Sequence, residues 1–133
     1  MHITLRANEK IYINGAVLKA DRKVSLELLN DAVFLLESHV MQESEATTPL
    51  KQLYYIVQVM LMERTERPEN RLTLQRHCAA LARQYRDPAI LQGISKVLDL
   101  VGRKRYFEAL KLIRSLLPTE MAVAEVVPLP AAS

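Results

Sequence analysis

Glycine is scarce in this chain, with three among 133 residues, at positions 15, 93 and 102. Loops that wrap phosphate groups need several closely spaced glycines, and the sequence has no G-x-G-x-x-G, no P-loop and no G-x-S-x-G elbow. Cysteine is scarcer still. The single one, Cys78, excludes an internal disulfide framework and a zinc site built from clustered cysteines. Long apolar runs are missing too. A membrane span needs roughly 18–20 such residues, and the longest stretch here, Leu53 to Met62, is interrupted by Gln58. The opening MHITLRANEK is charged too early to hold a secretory apolar core. Together with one cysteine, this points to a reducing cytoplasm and to no membrane partner.

Half of the residues are hydrophobic and a quarter are charged, as in an ordinary globular domain rather than a disordered chain. A domain of this length buries roughly 68% of its unfolded surface, enough for a core without covalent staples. The net charge of +3 is unevenly spread. Residues 1–48 carry five basic and seven acidic side chains, residues 49–117 thirteen and six, and residues 118–133 none and two. The basic middle suits a polyanionic partner and says nothing about fold.

The first forty residues read as short strands. His2 to Arg6 and Lys10 to Ile13 alternate apolar and polar positions, and Asn14–Gly15 then precedes Ala16 to Ala20. An Asn-Gly pair between two such runs signals a two-residue hairpin, because both turn positions need positive φ. Val24, Leu26 and Leu28 alternate in a further strand, and Ala32 to Glu37 is a nearly continuous apolar run suited to a buried one. A helix over Leu26 to Ser38 is the competing assignment. Gln42 to Thr48 is polar and reads as a linker.

Helical spacing follows. Thr48–Pro49 combines an N-cap with proline at the first helical position, and the apolar period continues to about Arg64. A second helix is expected from about Glu69 to Tyr85, with Leu74, Cys78, Leu81 and Tyr85 on one face. Asp87–Pro88 repeats the cap-then-proline signal for a third helix to Val101, with Gly102 as the residue that ends it. A fourth runs from about Lys104 to Leu117, where Pro118 stops it. From Thr119 the chain reads as extended or disordered. The predicted class is α+β: a small antiparallel β-unit of four to five short strands over residues 1–46, a bundle of about four helices over 47–118, and a tail over 119–133.

Chemistry-bearing clusters are few. His2, His39 and His77 share no ligand spacing, and the adjacent His77 and Cys78 point to different helix faces, so no metal and no cofactor is expected. Glu63, Glu66 and Glu69 interleave with Arg64, Arg67 and Arg71, the mixture of a solvated ion-pair surface. No enzyme activity is indicated. The basic residues are more informative. Arg76, Arg83 and Arg86 fall at i, i+7 and i+10 on the second helix, and Lys104, Lys111 and Arg114 repeat that spacing on the fourth, with Phe107 among them. Two such rows could follow a phosphate backbone while the ring stacks on an unpaired base. The same residues also serve as ordinary solubilising surface, and no RRM, GXXG or helix-turn-helix pattern accompanies them. A protein partner is the other candidate, since a small β-unit has open edges and Ala122 to Leu129, AVAEVVPL, is apolar enough to add to a sheet or groove.

Several stretches taken together resemble one family: INGAV at Ile13 to Val17, the TTP at Thr47 to Pro49 with Tyr54 soon after, DPAIL around Pro88, and above all ISKVLDLVGRKRYFEALKLIRSLL from Ile94 to Leu117. In order and spacing they resemble the flagellum biosynthesis repressor family FlbT, found with flagellar genes in alphaproteobacteria. The likeness covers about residues 3–117. The family's aromatic pair before A-L-x-x-x-R falls on Tyr106, Phe107, Ala109, Leu110 and Arg114; the second helix and the short tail match poorly. The resemblance implies a cytoplasmic post-transcriptional regulator associated with the 5′ untranslated region of flagellin mRNA, a repressor in some members and an activator in others. Its implied partners are the flagellin mRNA leader and possibly flagellin or the companion regulator FlaF; a homodimer is compatible with the open edges.

Overall fold

The computed structural model describes residues 1–14, 16–30, 32–63 and 67–126. Five short strands come first: β1 (His2–Leu5), β2 (Lys10–Ile13), β3 (Ala16–Lys19), β4 (Val24–Glu27) and β5 (Phe34–Leu36). They pair antiparallel in two small sheets, β1 with β4, and β3–β2–β5. Two short 3-10 turns, Glu37–His39 and Glu43–Glu45, lead to four helices: α1 (Pro49–Met62), α2 (Pro68–Gln84), α3 (Pro88–Gly102) and α4 (Tyr106–Val126). The arrangement is α+β, strands first and helices second, and Leu26 to Ser38 is not a helix.

Local chemistry explains most of these boundaries. Ile13 pairs with Ala16, so the β2–β3 turn has two central residues; Asn14 has φ 47°, as the Asn-Gly signal requires, and Gly15 lies outside the described residues. The Asn14 amide oxygen accepts the Val33 N–H at 3.1 Å, tying the turn to the approach to β5. Proline opens α1, α2 and α3, where its missing N–H costs nothing and its fixed φ suits the helix. Thr48 caps α1 by accepting from Lys51 N at 3.2 Å, and Asp87 caps α3 by accepting from Ala89 N at 2.9 Å.

Helix α3 does not end on a left-handed glycine. Gly102 is its last helical residue, and Lys104 takes the left-handed conformation at φ 62°. Lys104 N donates to Val101 O at 2.9 Å and Arg105 N to Leu100 O at 2.8 Å, the paired bonds of a Schellman turn. Lys104 therefore precedes α4 rather than belonging to it. The expected extended tail is also corrected over 119–126, because α4 continues through Pro118 to Val126. Proline removes one N–H and crowds the preceding turn, but Ile113 and Leu116 before it and Glu120 after it are buried against the other helices. Ala122 to Val126 is thus helical, not an added strand, and 127–133 lies outside the described residues.

The helices pack as a ring, α1 on α2, α2 on α3, α3 on α4 and α4 on α1. Their core includes Leu50, Leu53, Val57, Leu81, Ile90, Val97, Leu110 and Ile113, and takes in Leu35 from β5. A smaller core holds Ile3, Leu5, Ile11 and Phe34 between the sheets. Strand β2 joins the two by alternation: Ile11 enters the small core, while Tyr12 packs on the helical one and donates its hydroxyl to Met62 O at 3.0 Å. Phe107 touches both cores.

Candidate nucleic-acid interface

The structure separates the residues that the sequence placed in two basic rows. Arg76 and Arg83 are exposed on α2, two turns apart. Arg86 is exposed too, but it lies beyond the end of α2 in the link to α3. In the ring of helices α2 and α4 occupy diagonal places, each packed between α1 and α3. On α4, Lys111 is exposed, while Phe107 and Arg114 are half-buried.

Arg114 is turned toward α1. Its Nη1 donates to the Tyr54 hydroxyl at 2.9 Å, and the guanidinium lies 5.9 Å from the centre of the Tyr54 ring, within cation–π range. Tyr54 in turn donates its hydroxyl to the His39 carbonyl. Burial raises the Tyr54 pKa, and Arg114 opposes that rise by hydrogen bond and charge. The His39 pKa is lowered, chiefly by burial and then by the Arg114 charge. Arg114 thus connects α4, α1 and the segment after β5, which its spacing from Lys111 did not reveal.

Lys104 and Phe107 do come together. Both line an open groove of about 560 Å³ between the β4–β5 connection and the α3–α4 turn. Its other walls include Leu29, Val33 and Phe34, with Asn30 and Arg105 among the polar residues. Phe34 and Phe107 meet there with ring centroids 5.3 Å apart and planes tilted by 38°. Leu29 and Met1, at 87% and 69% exposed, give this groove an apolar rim open to solvent. Arg105 pairs with Glu108 at 2.6 Å across the first turn of α4. The sequence singled out Phe107 and Lys104 but not the wall opposite; exposed Leu29 beside a turn was the available signal.

A second cluster is centred on a buried carboxylate. Glu120, 2% exposed, accepts from Leu50 N at 2.9 Å, from the Tyr85 hydroxyl at 2.7 Å and from the Thr48 hydroxyl. Its carboxylate sits at the N-terminus of α1, where unpaired N–H groups favour negative charge. Burial raises the Tyr85 pKa, and the Glu120 carboxylate raises it further. His77 is occupied structurally, with Nε2 2.8 Å from Pro49 O. Burial pushes the Cys78 thiol up to about 11, so it stays protonated and unreactive at neutral pH. Among the described residues no group of three His, Cys, Asp or Glu side chains could hold a metal ion, and no helix is long and apolar enough to cross a membrane.

Residues 1–124 match the family described as flagellar protein FlbT. The chain belongs to the FlbT family. A FlbT protein of Bradyrhizobium diazoefficiens, named probable flagellum biosynthesis repressor protein FlbT 2, is 53% identical over 123 residues, covering 92% of this chain and 90% of its own. Proteins named probable flagellum biosynthesis repressor protein FlbT in Brucella anthropi and Brucella abortus are each 50% identical over 120 residues, 90% of this chain and 79% of theirs. The FlbT match includes α2, where the sequence motifs correspond poorly, and most of the α4 extension beyond Pro118. No solved structure matches this FlbT chain.

Proposed function

We propose that this chain regulates flagellum biosynthesis after transcription, binding the 5′ untranslated region of flagellin mRNA and lowering its translation or stability. The observation that carries the reading is near full-length similarity to proteins named flagellum biosynthesis repressors. The surface supports it: Arg76, Arg83, Arg86, Lys104 and Lys111 are exposed, as contacts to phosphates require, and Phe107 offers a partly exposed ring. Leader RNA is recognised mainly in loops and single strands, where bases are accessible. Arg114 supports the fold around Tyr54 rather than acting as a further phosphate ligand.

The test is a titration of the purified chain with flagellin leader RNA and a scrambled control at several salt concentrations. A complex using four phosphate contacts should lose affinity with a log–log salt slope of about −3, from roughly −0.7 per contact on single strands. Arg76→Glu with Arg83→Glu should weaken it strongly. Equal, weak binding to both RNAs would overturn the reading.

A second reading is an adaptor for flagellin or FlaF that affects mRNA only indirectly. The apolar groove with exposed Leu29 and Met1 favours it. Such a complex, held by apolar burial, should respond little to salt.

A further inference from the structure

We propose that β4 is a self-complementary edge through which two copies of this chain associate, β4 antiparallel to β4 about a two-fold axis at Ser25. This does not depend on the RNA-binding reading above. Among the described residues β4 pairs with β1 alone, so its other edge is open. In an antiparallel ladder, facing residues alternate between exchanging both backbone hydrogen bonds and exchanging none. His2 faces Glu27, so Met1 faces Leu28, and there Leu28 N donates to Met1 O at 2.9 Å. Alternation then assigns the ladder bonds to Ile3 with Leu26 and to Leu5 with Val24. Ser25 and Glu27 lie between these positions and direct their N–H and C=O groups to the open side. Lys23, directly before β4, falls at the same phase.

A second copy laid antiparallel with Ser25 opposite Ser25 brings these open positions onto one another. Lys23 then faces Glu27 of the second copy, Glu27 faces its Lys23, and Val24 faces its Leu26. The backbone groups match without a shift of register. The side chains sort as well. Leu26 shares a face with Ile3 of the small core yet is 39% exposed, and Val24 packs at the margin of that core. The Val24–Leu26 pairs extend the small core across the axis. Lys23, Ser25 and Glu27 occupy the opposite face and are exposed. Opposite charges directly facing across an antiparallel pair attract, and among the described residues neither Lys23 nor Glu27 belongs to an ion pair.

The other open edges lack this match. On β1 the same operation about Thr4 sets His2 against Arg6, and on β3 about Leu18 it sets Lys19 against Val17. Strand β5 has already buried Phe34 and Leu35. So short a strand pairing covers less than the roughly 1,200 Å² of a stable interface, and the dimer is therefore weak and concentration-dependent.

The test is sedimentation equilibrium of the purified full chain over about 10 μM to 1 mM, the range of weak complexes. Wild type should pass from monomer to dimer. Glu27→Lys and Lys23→Glu each set like charges against one another at both ends of the pairing, and each should raise the dimer dissociation constant about ten-fold or more. Mixed in equal amounts, these two variants carry opposite charges at the facing positions and should dimerise with each other as wild type does. Ser25→Pro removes an N–H that β1 does not use, so the fold should stay and the dimer should be lost. Circular-dichroism melts close to wild type should show that the variants, all at exposed positions, are folded.

If wild type is monomeric at the highest concentration, the proposal falls and the β4 edge is left to a strand of another protein. If Ser25→Pro and both single charge variants dimerise as well as wild type, the contact between copies lies elsewhere and the proposal falls. If the mixture dimerises no better than either variant alone, Lys23 does not face Glu27 and the axis at Ser25 is overturned.

Discussion

Glu120 accepts the backbone N–H of Leu50, seventy residues earlier in the chain, at 2.9 Å. The same carboxylate oxygen accepts from the Tyr85 hydroxyl, so one side chain on α4 caps α1 and holds the residue that ends α2. Helix α4 passes Pro118 two residues before this anchor.

Removing the anchor should therefore unfasten the helix. Glu120→Ala leaves the buried Leu50 N–H and Tyr85 hydroxyl without a partner, which costs on the order of 3 kcal/mol. Glu120→Gln retains an acceptor and should lose only about 1 kcal/mol. Chemical denaturation gives both values. Hydrogen exchange should show that amides of 119–126 lose protection in Glu120→Ala; unchanged protection there would mean that the helix holds itself past the proline.

Alkaline pH should destabilise the protein in two stages. The Cys78 thiol is raised from 9.0 to about 11 in the fold. Its proton is held more tightly when folded, so its contribution is complete below about pH 9 and is lost as pH rises toward 11. Tyr85 is raised from 10.0 and acts in the same sense at higher pH. Cys78→Ala should flatten the first part of the stability–pH curve and Tyr85→Phe the second, when unfolding is followed from pH 8 to 11.5. The buried thiol should also resist alkylation at pH 7.5 until the chain unfolds.

Arg114 and Tyr54 should be energetically coupled. A double-mutant cycle of Arg114→Gln and Tyr54→Phe is expected to give a coupling of about 1 kcal/mol, combining a half-buried hydrogen bond with a cation–π contact. RNA affinity of Arg114→Gln, corrected for the folded fraction, should stay within two-fold of wild type. A large affinity loss with unchanged stability would return Arg114 to the RNA surface.

Two backbone positions give opposite expectations. Lys104→Gly should stabilise the fold by about 0.5–1 kcal/mol, since glycine relieves the left-handed strain at φ 62°. Gly93→Val should destabilise it by about 2 kcal/mol, as overpacking does. A Cβ at Gly93 meets the Leu116 side chain, where α3 approaches α4 closely. Thermal melts of the two variants should shift in opposite directions.

The legible parts of the fold were those governed within one turn of chain. Thr48–Pro49 and Asp87–Pro88 marked their helix starts, and Asn14 marked the hairpin, because caps, fixed φ and positive φ are local properties. The apolar period of α2 correctly placed Leu74, Cys78, Leu81 and Tyr85 inside. Local evidence misled where a distant partner overruled it. Pro118 was a reasonable stop until Glu120 found Leu50 and Tyr85. Gly102 was a reasonable terminator until the turn placed Lys104 in the left-handed conformation.

The candidate site divided along the same line. Spacing alone identified the exposed charges of Arg76, Arg83 and Lys111, because hydrophobic periodicity determines which helix face is wet. It did not show that Arg114 would meet Tyr54, or that Phe107 would meet Phe34 and share a groove with Lys104. The sequence by itself determined element types, most boundaries, the α+β order and the family. Only the tertiary structure decided how far α4 runs, which cations support the fold, and where a groove opens. Those outcomes depend on contacts between residues tens of positions apart, and the free energy of such contacts exists only once the helices and sheets have packed.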